Sequence, residues 1–143
     1  MLHIAYRYGD TKLFARFVCL LRGGDSAHVE MCEPLAYGLW RCTSSSHMDG
    51  GPRTKDMPLP AGKWRLYRTN IHPSVAREWL ANNKGKSYGW WKLIRFAIPL
   101  IRPSFGGPIC TQACAQMTAL GHADSWDLRT LEAAHAWRYE RVQ

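Results

Sequence analysis

The chain has no Cys-x-x-Cys pair among its five cysteines, Cys19, Cys32, Cys42, Cys110 and Cys114. A zinc knuckle or a dithiol redox centre therefore has no support, and an odd number cannot close a complete disulfide framework within one chain. Reduced cysteines in a cytoplasmic or virion-associated setting fit best. No run of five Lys or Arg occurs, nor any familiar nucleic-acid motif, which argues against nucleic acid as the partner. Missing too are a G-x-x-x-x-G-K-[ST] phosphate cradle, a G-x-S-x-G elbow and an H-E-x-x-H helix. No spacing of His and Cys argues for a metal, and no cofactor is expected.

Long hydrophobic runs are absent as well. "LFARFVCLL" is interrupted by Arg16 and followed by no small-residue cleavage site, so no signal peptide is read there. "LIRFAIPLI" is too short and too charged to span a bilayer, and no transmembrane segment is expected. With no repeat, no low-complexity tract and no linker, residues 1–143 are read as one domain. Nothing in the pattern sets an oligomeric state.

What is present is a basic, apolar-rich and tryptophan-rich chain. The 19 basic residues outnumber 11 acidic ones to give +8, which favours an anionic partner such as a cell-wall polymer or a membrane face. Seven tryptophans in so short a chain suggest large aromatic anchors.

Periodicity predicts strands first and helices later, an α+β layout. "LHIAYRY" (2–8) reads as a strand, and Thr11 can cap a helix to about Arg22. "SAHVEMC" (26–32) is a second strand with His28, Glu30 and Cys32 on one face. "AYGLWRCTSS" (36–45) is a third, "SHMDGGPRTKD" a polar loop around a tight turn, and "KWRLYRTN" (63–70) a fourth strand. Helices follow in "SVAREWLANNKG", in "YGWWKLIRFAIPLI" up to Pro99, from Cys110 to Gly121, and in "SWDLRTLEAAHAWRYE".

Cys110 is the candidate nucleophile. It begins a helix behind the Gly106-Gly107-Pro108 bend, which should expose its side chain. Free N–H groups and the dipole at a helix start favour a thiolate. The Cys110 N–H can also face a developing oxyanion. Cys114, one turn deeper on an apolar stripe, should be buried. Among six histidines, His28 is the best base, because an ionisable His–Glu pair on a core strand is costly without a role. His3 is a rival without an acidic neighbour. His47 falls in a turn, His72 precedes a proline, and His122 and His135 read as loop and helix-surface positions. A packed thiol and a hydrogen-bonded core imidazole remain the simpler alternative on these residues alone.

The order of "IAYRYG…TKLFARFV…GGDSAHVEM", "CTSSSHMDGGPR", "GKSYGWW" and then Cys110 opening a helix resembles the circularly permuted NlpC/P60-type cysteine peptidases. The parallels run from residue 2 to about 133. That resemblance implies a papain-like α+β fold, an antiparallel sheet packed against helices. It implies Cys110 as nucleophile and His28 as general base, with a third polar group orienting the imidazole. The strand after the histidine usually supplies that group, but "LWRCTSSS" offers only Thr43 and serines. Glu30 is therefore preferred, with Ser45 as the alternative. Thr111-Gln112 also departs from the small residue and acid expected after the cysteine.

Tyr88 in "GKSYGWW" matches by position a tyrosine beside the oxyanion site, or else it is a core tyrosine. Trp90 and Trp91 are read as core, and Arg53 as a possible anchor for a substrate carboxylate. The implied function is a peptidase or amidase acting on peptidoglycan-type peptides. The alternatives are a lipid or acyl-ester hydrolase or acyltransferase, and a non-catalytic basic module holding nucleic acid or another anion.

Overall fold

The two alternating stretches near the start of the chain form the middle of a sheet. Six strands, β1 (His3–Tyr8), β2 (Ser26–Pro34), β3 (Leu39–Ser46), β4 (Gly51–Pro58), β5 (Trp64–Arg68) and β6 (Glu140–Arg141), pair antiparallel in the order β4-β3-β2-β1-β5-β6. The computed structural model describes residues 1–8, 25–97 and 106–143. The helix expected over 11–22 lies outside them, as does the end of the apolar stretch at Pro99. The described helices are α1 (Ser74–Asn83), α2 (Trp90–Ala97), α3 (Cys110–Met117) and α4 (Leu128–Arg138). The architecture is mixed α+β, with an open antiparallel sheet.

Period-two alternation buries both faces of the central strands. Ile4, Tyr6, Val29, Met31 and Tyr67 join the main core with Ala113, Cys114, Met117 and Leu131 from α3 and α4. On the opposite face Ala5, Cys32, Cys42, Leu59, Trp64 and Leu66 make a smaller cluster. Each fully buried aliphatic side chain there contributes about 1.5–3 kcal/mol. Helix α3 lies against β2 and β3, with α1 and α4 beside it.

Local chemistry explains the helix ends. Asp127 caps α4 by accepting the Thr130 N–H at 2.8 Å. Helix α3 stops at Met117 instead of continuing to Gly121. The Thr118 hydroxyl donates back to the Cys114 carbonyl at 2.8 Å, and Ala119 turns into the left-handed region at φ 54°.

Three further sequence expectations are corrected. The polar stretch after Ser46 is only partly a loop. Its turn covers 47–50, with Gly50 at φ 80°, and β4 then pairs with β3 along its whole length, from Ser46–Gly51 to Leu39–Pro58. An edge strand with exposed Thr54, Lys55 and Asp56 carries little apolar alternation, and charged edge residues guard against further pairing. Before β3, Tyr37 (φ 59°) and Gly38 (φ 73°) turn left-handed, so that strand begins at Leu39.

His135 is the third. It is wholly buried, not on the helix surface. Its Nδ1 accepts the Tyr6 hydroxyl at 2.6 Å and its Nε2 faces the Thr118 hydroxyl at 3.2 Å. Because that hydroxyl already donates to Cys114, it accepts here, which puts the ring proton on Nε2. Burial, helped by Arg138, lowers the His135 pKa to about 4, so the ring is neutral.

Candidate active site

Strands β2 and β3 stay paired only from Pro34–Trp40 to Met31–Thr43. Beyond that point β2 continues beside β1 to Ser26, and β3 continues beside β4 to Ser46. The two strands part where His28 and Glu30 sit. Side chains satisfy backbone groups at the parting, as buried polar atoms require. Ser44 Oγ donates to the Val29 carbonyl at 2.8 Å, and Ser45 Oγ donates to the Pro108 carbonyl at 2.5 Å. The second of these ties β3 to the bend ahead of Cys110.

That bend is built by close backbone approach. A Cβ on Gly107 would collide with the Ser87 carbonyl, and one on Gly89 with the Gly107 carbonyl. Residues 87–89 are therefore pressed against the bend, and the Tyr88 N–H donates to the Gly50 carbonyl at 2.7 Å. The Tyr88 ring is buried and meets His47 and Trp90 edge-on, at centroid separations of 6.1 and 5.4 Å. Helix α3 then starts from the extended Ile109, whose N–H donates to Gln112 Oε1 at 3.0 Å. Gln112 Nε2 in turn donates to Asp124. Gln112, where an acid was expected, braces the first turn behind the cysteine.

Cys110 opens α3 and is 7% exposed. The bend therefore brings it near the surface without laying it bare, which corrects the expectation of an exposed thiol. It hydrogen-bonds with His28. His28 Nε2 also donates to Glu30 Oε1 at 2.8 Å. Glu30 is fully buried and is gripped by Arg53, Nη1 to Oε2 at 2.7 Å and Nη2 to Oε1 at 2.5 Å. Arg53 also donates to Asp49 at 3.0 Å and to the Cys42 carbonyl at 3.2 Å.

Burial alone would favour the neutral forms of this chain of groups. It works against the His28 imidazolium, yet Glu30 and the Cys110 sulfur, by charge and hydrogen bond, outweigh it and push His28 up to about 10. Burial would likewise raise the Glu30 carboxyl, but His28 and Arg53 hold it below its ordinary value. The His28 imidazolium, the Glu30 carboxylate and the Arg53 guanidinium thus alternate in sign along this series, and such pairing is the condition for holding charges in a low-dielectric interior.

No known family model, curated protein or solved structure matches the chain. The likeness to permuted cysteine peptidases therefore rests on the residues themselves.

Of the residues singled out in the sequence, the fold brings Cys110, His28 and Glu30 into one hydrogen-bonded series. Tyr88 lies in the segment packed on the bend. Ser45 bonds to Pro108, not to the imidazole, and Thr43 bonds to Thr54 across the β3–β4 ladder at 2.9 Å. His3 stacks edge-on against Trp40, with centroids 5.0 Å apart. Trp90 and Trp91, expected in the core, are 49% and 57% exposed. Arg53, read as an anchor for a substrate carboxylate, reaches the internal carboxylate of Glu30. Its partner was hidden because "SHMDGGPRTKD" carries no apolar alternation, and only the β3–β4 register places Arg53 beside Glu30. Among the described residues no cluster of His, Cys, Asp or Glu could hold a metal ion. No described helix is long and apolar enough to cross a membrane.

Proposed function

We propose that this chain is a cysteine hydrolase of the peptidase or amidase type, with a papain-like fold in permuted NlpC/P60 order. The observation that carries this reading is the position of His28 between Cys110 and Glu30. A structural thiol needs no such neighbour, and cysteines that merely pack are inert. A nucleophile needs a base within hydrogen-bond reach and a third group to orient that base.

In this mechanism the thiol proton resides on His28 before substrate arrives. The Cys110 thiolate attacks the carbonyl carbon of an amide. The oxyanion is stabilised by the Cys110 N–H at the head of α3, with the Tyr88 hydroxyl as a second donor. Acylation removes the sulfur's negative charge, and with it one of the influences that raise His28. The imidazolium then gives up its proton more readily, and it passes to the leaving amine. Neutral His28 next takes a proton from water, whose oxygen attacks the thioester. Collapse releases the acid and restores the sulfur–imidazolium pair. Glu30 and Arg53 keep their charges throughout and act by orientation and field.

The leading substrates are peptidoglycan-type peptides, whose anionic polymer suits the +8 chain. Exposed Trp90 and Trp91 favour a second reading, an acyl-ester hydrolase or acyltransferase for amphiphilic lipids, because tryptophans of this kind lodge at apolar–polar boundaries. Incubation with muropeptides and with acyl esters decides between them. Product should form with one class by the native protein and not by Cys110→Ala. Equal inertness of both proteins, with salt-sensitive retention of a polyanion, would favour a non-catalytic basic module instead.

A further inference from the structure

Cys32 and Cys42 stand directly opposite each other on β2 and β3, with their sulfurs 3.0 Å apart. Both are free thiols and fully buried, in the small apolar cluster with Ala5, Leu59, Trp64 and Leu66. Their polar contacts are weak: Cys32 Sγ donates to Cys42 Sγ, and Cys42 Sγ faces the Trp40 carbonyl at 3.7 Å. A lone cysteine in such a place would pack as a small hydrophobe. Two in register are different. Opposed residues of an antiparallel pair have Cα atoms about 4.5–5.5 Å apart, inside the roughly 4.4–6.8 Å that disulfides span. Closing the sulfurs to bonding distance, ~2.05 Å, asks for a small side-chain rotation and no shift of strand.

We propose that Cys32 and Cys42 form a disulfide that staples β2 to β3. The site is independent of whether Cys110 is a nucleophile. The chemistry is thiol–disulfide exchange with a small disulfide oxidant such as oxidised glutathione. One cysteine thiolate attacks the oxidant, expels one glutathione and forms a mixed disulfide. The facing cysteine attacks that protein sulfur and expels the second glutathione. The oxidant gains two electrons, and the two thiol protons end on the two glutathiones. Because both sulfurs are sealed from solvent, the oxidant reaches them while the strands are open, during folding.

The staple has a local consequence. Glu30 precedes Cys32 on the same face of β2, and Arg53 donates both to Glu30 and to the Cys42 carbonyl. A covalent link between β2 and β3 fixes Glu30 relative to the Cys42 carbonyl, the two acceptors that Arg53 bridges.

The test is to reduce and unfold the protein, refold it across a range of glutathione ratios, quench with iodoacetamide in denaturant and map the peptides by mass. The expected result is a Cys32–Cys42 linked peptide, lighter than its reduced halves by two hydrogens and split by dithiothreitol. The oxidised protein should also unfold at a higher urea concentration than the reduced one. The same refolding of Cys110→Ala, which lacks the competing nucleophile, should give the same linked peptide. In Cys32→Ala, oxidation should leave the urea midpoint where it was. Alkylation of both residues at every ratio, their linkage to some other cysteine, or no gain in urea resistance on oxidation would overturn the proposal.

Discussion

Arg53 on β4 holds both oxygens of the Glu30 carboxylate on β2, at 2.7 and 2.5 Å, with β3 between those two strands in the sheet. Removing the guanidinium leaves Glu30, fully buried, beside His28 alone. Breaking one partner out of a buried pair costs about 3–5 kcal/mol. Arg53→Met should therefore lower the urea unfolding free energy by that order. The double variant with Glu30→Gln should lose less than the sum of the two single changes, and a double-mutant cycle measures the coupling.

His28 predicts a pH dependence of known sign. Its folded pKa of about 10 lies above the ordinary 6.5. The stability it contributes is complete below pH 6.5 and is lost as pH rises toward 10. Glu30, held below its ordinary 4.5, contributes stability above that pH which is lost as acid protonates it in the fold. NMR titration of the His28 ring should show it protonated well past pH 8. In Cys110→Ala the midpoint should fall, while remaining above 6.5 because Glu30 is still there.

The buried ring of His135 acts in the opposite direction. With a folded pKa near 4 against 6.5, the unfolded chain binds more protons between those values. Stability should therefore fall as pH drops from 6.5 to 4. Tyr6→Phe removes the hydroxyl that donates to Nδ1 and should cost about 1–3 kcal/mol. Urea unfolding at neutral pH checks the cost, and a series down to pH 4 checks the slope.

Gly107→Ala should disturb the site without touching a reacting group. The added methyl meets the Ser87 carbonyl, so either residues 87–89 or the bend must move. The expected outcome is a folded protein, by circular dichroism, with Cys110 alkylated several-fold more slowly than in the native chain. Gly62→Ala, where a Cβ meets nothing within 4 Å, is the matched control and should label at the native rate.

The backbone framework was legible where apolar alternation or a strong terminus signal existed. "LHIAYRY" and "SAHVEMC" form β1 and β2, and the Gly-Gly-Pro bend does start α3 at Cys110. The pairing of His28 with Glu30 followed from period two on one strand. The nearness of His28 to Cys110 depends on strands and helices far apart in sequence; residue chemistry offered the pair as one alternative, and the family resemblance gave it the preference. Arg53 was illegible because β4 is a polar edge strand, and the buried His135 because its partner, Tyr6, lies at the far end of the chain. Trp90 and Trp91 were misplaced by an apolar composition that does not say which face of a helix is covered.

The central claim is that His28 holds Cys110 as a thiolate. Its most direct test is the rate of iodoacetamide labelling of Cys110 at pH 7, read by peptide mass in the native protein and in His28→Ala. An unassisted thiol with pKa ~8.5 is only a few per cent thiolate there. The rate should accordingly fall roughly thirtyfold in the variant, while Cys114, fully buried, stays slow in both. Equal Cys110 rates in the two proteins, or a native Cys110 no faster than Cys114, would contradict the account.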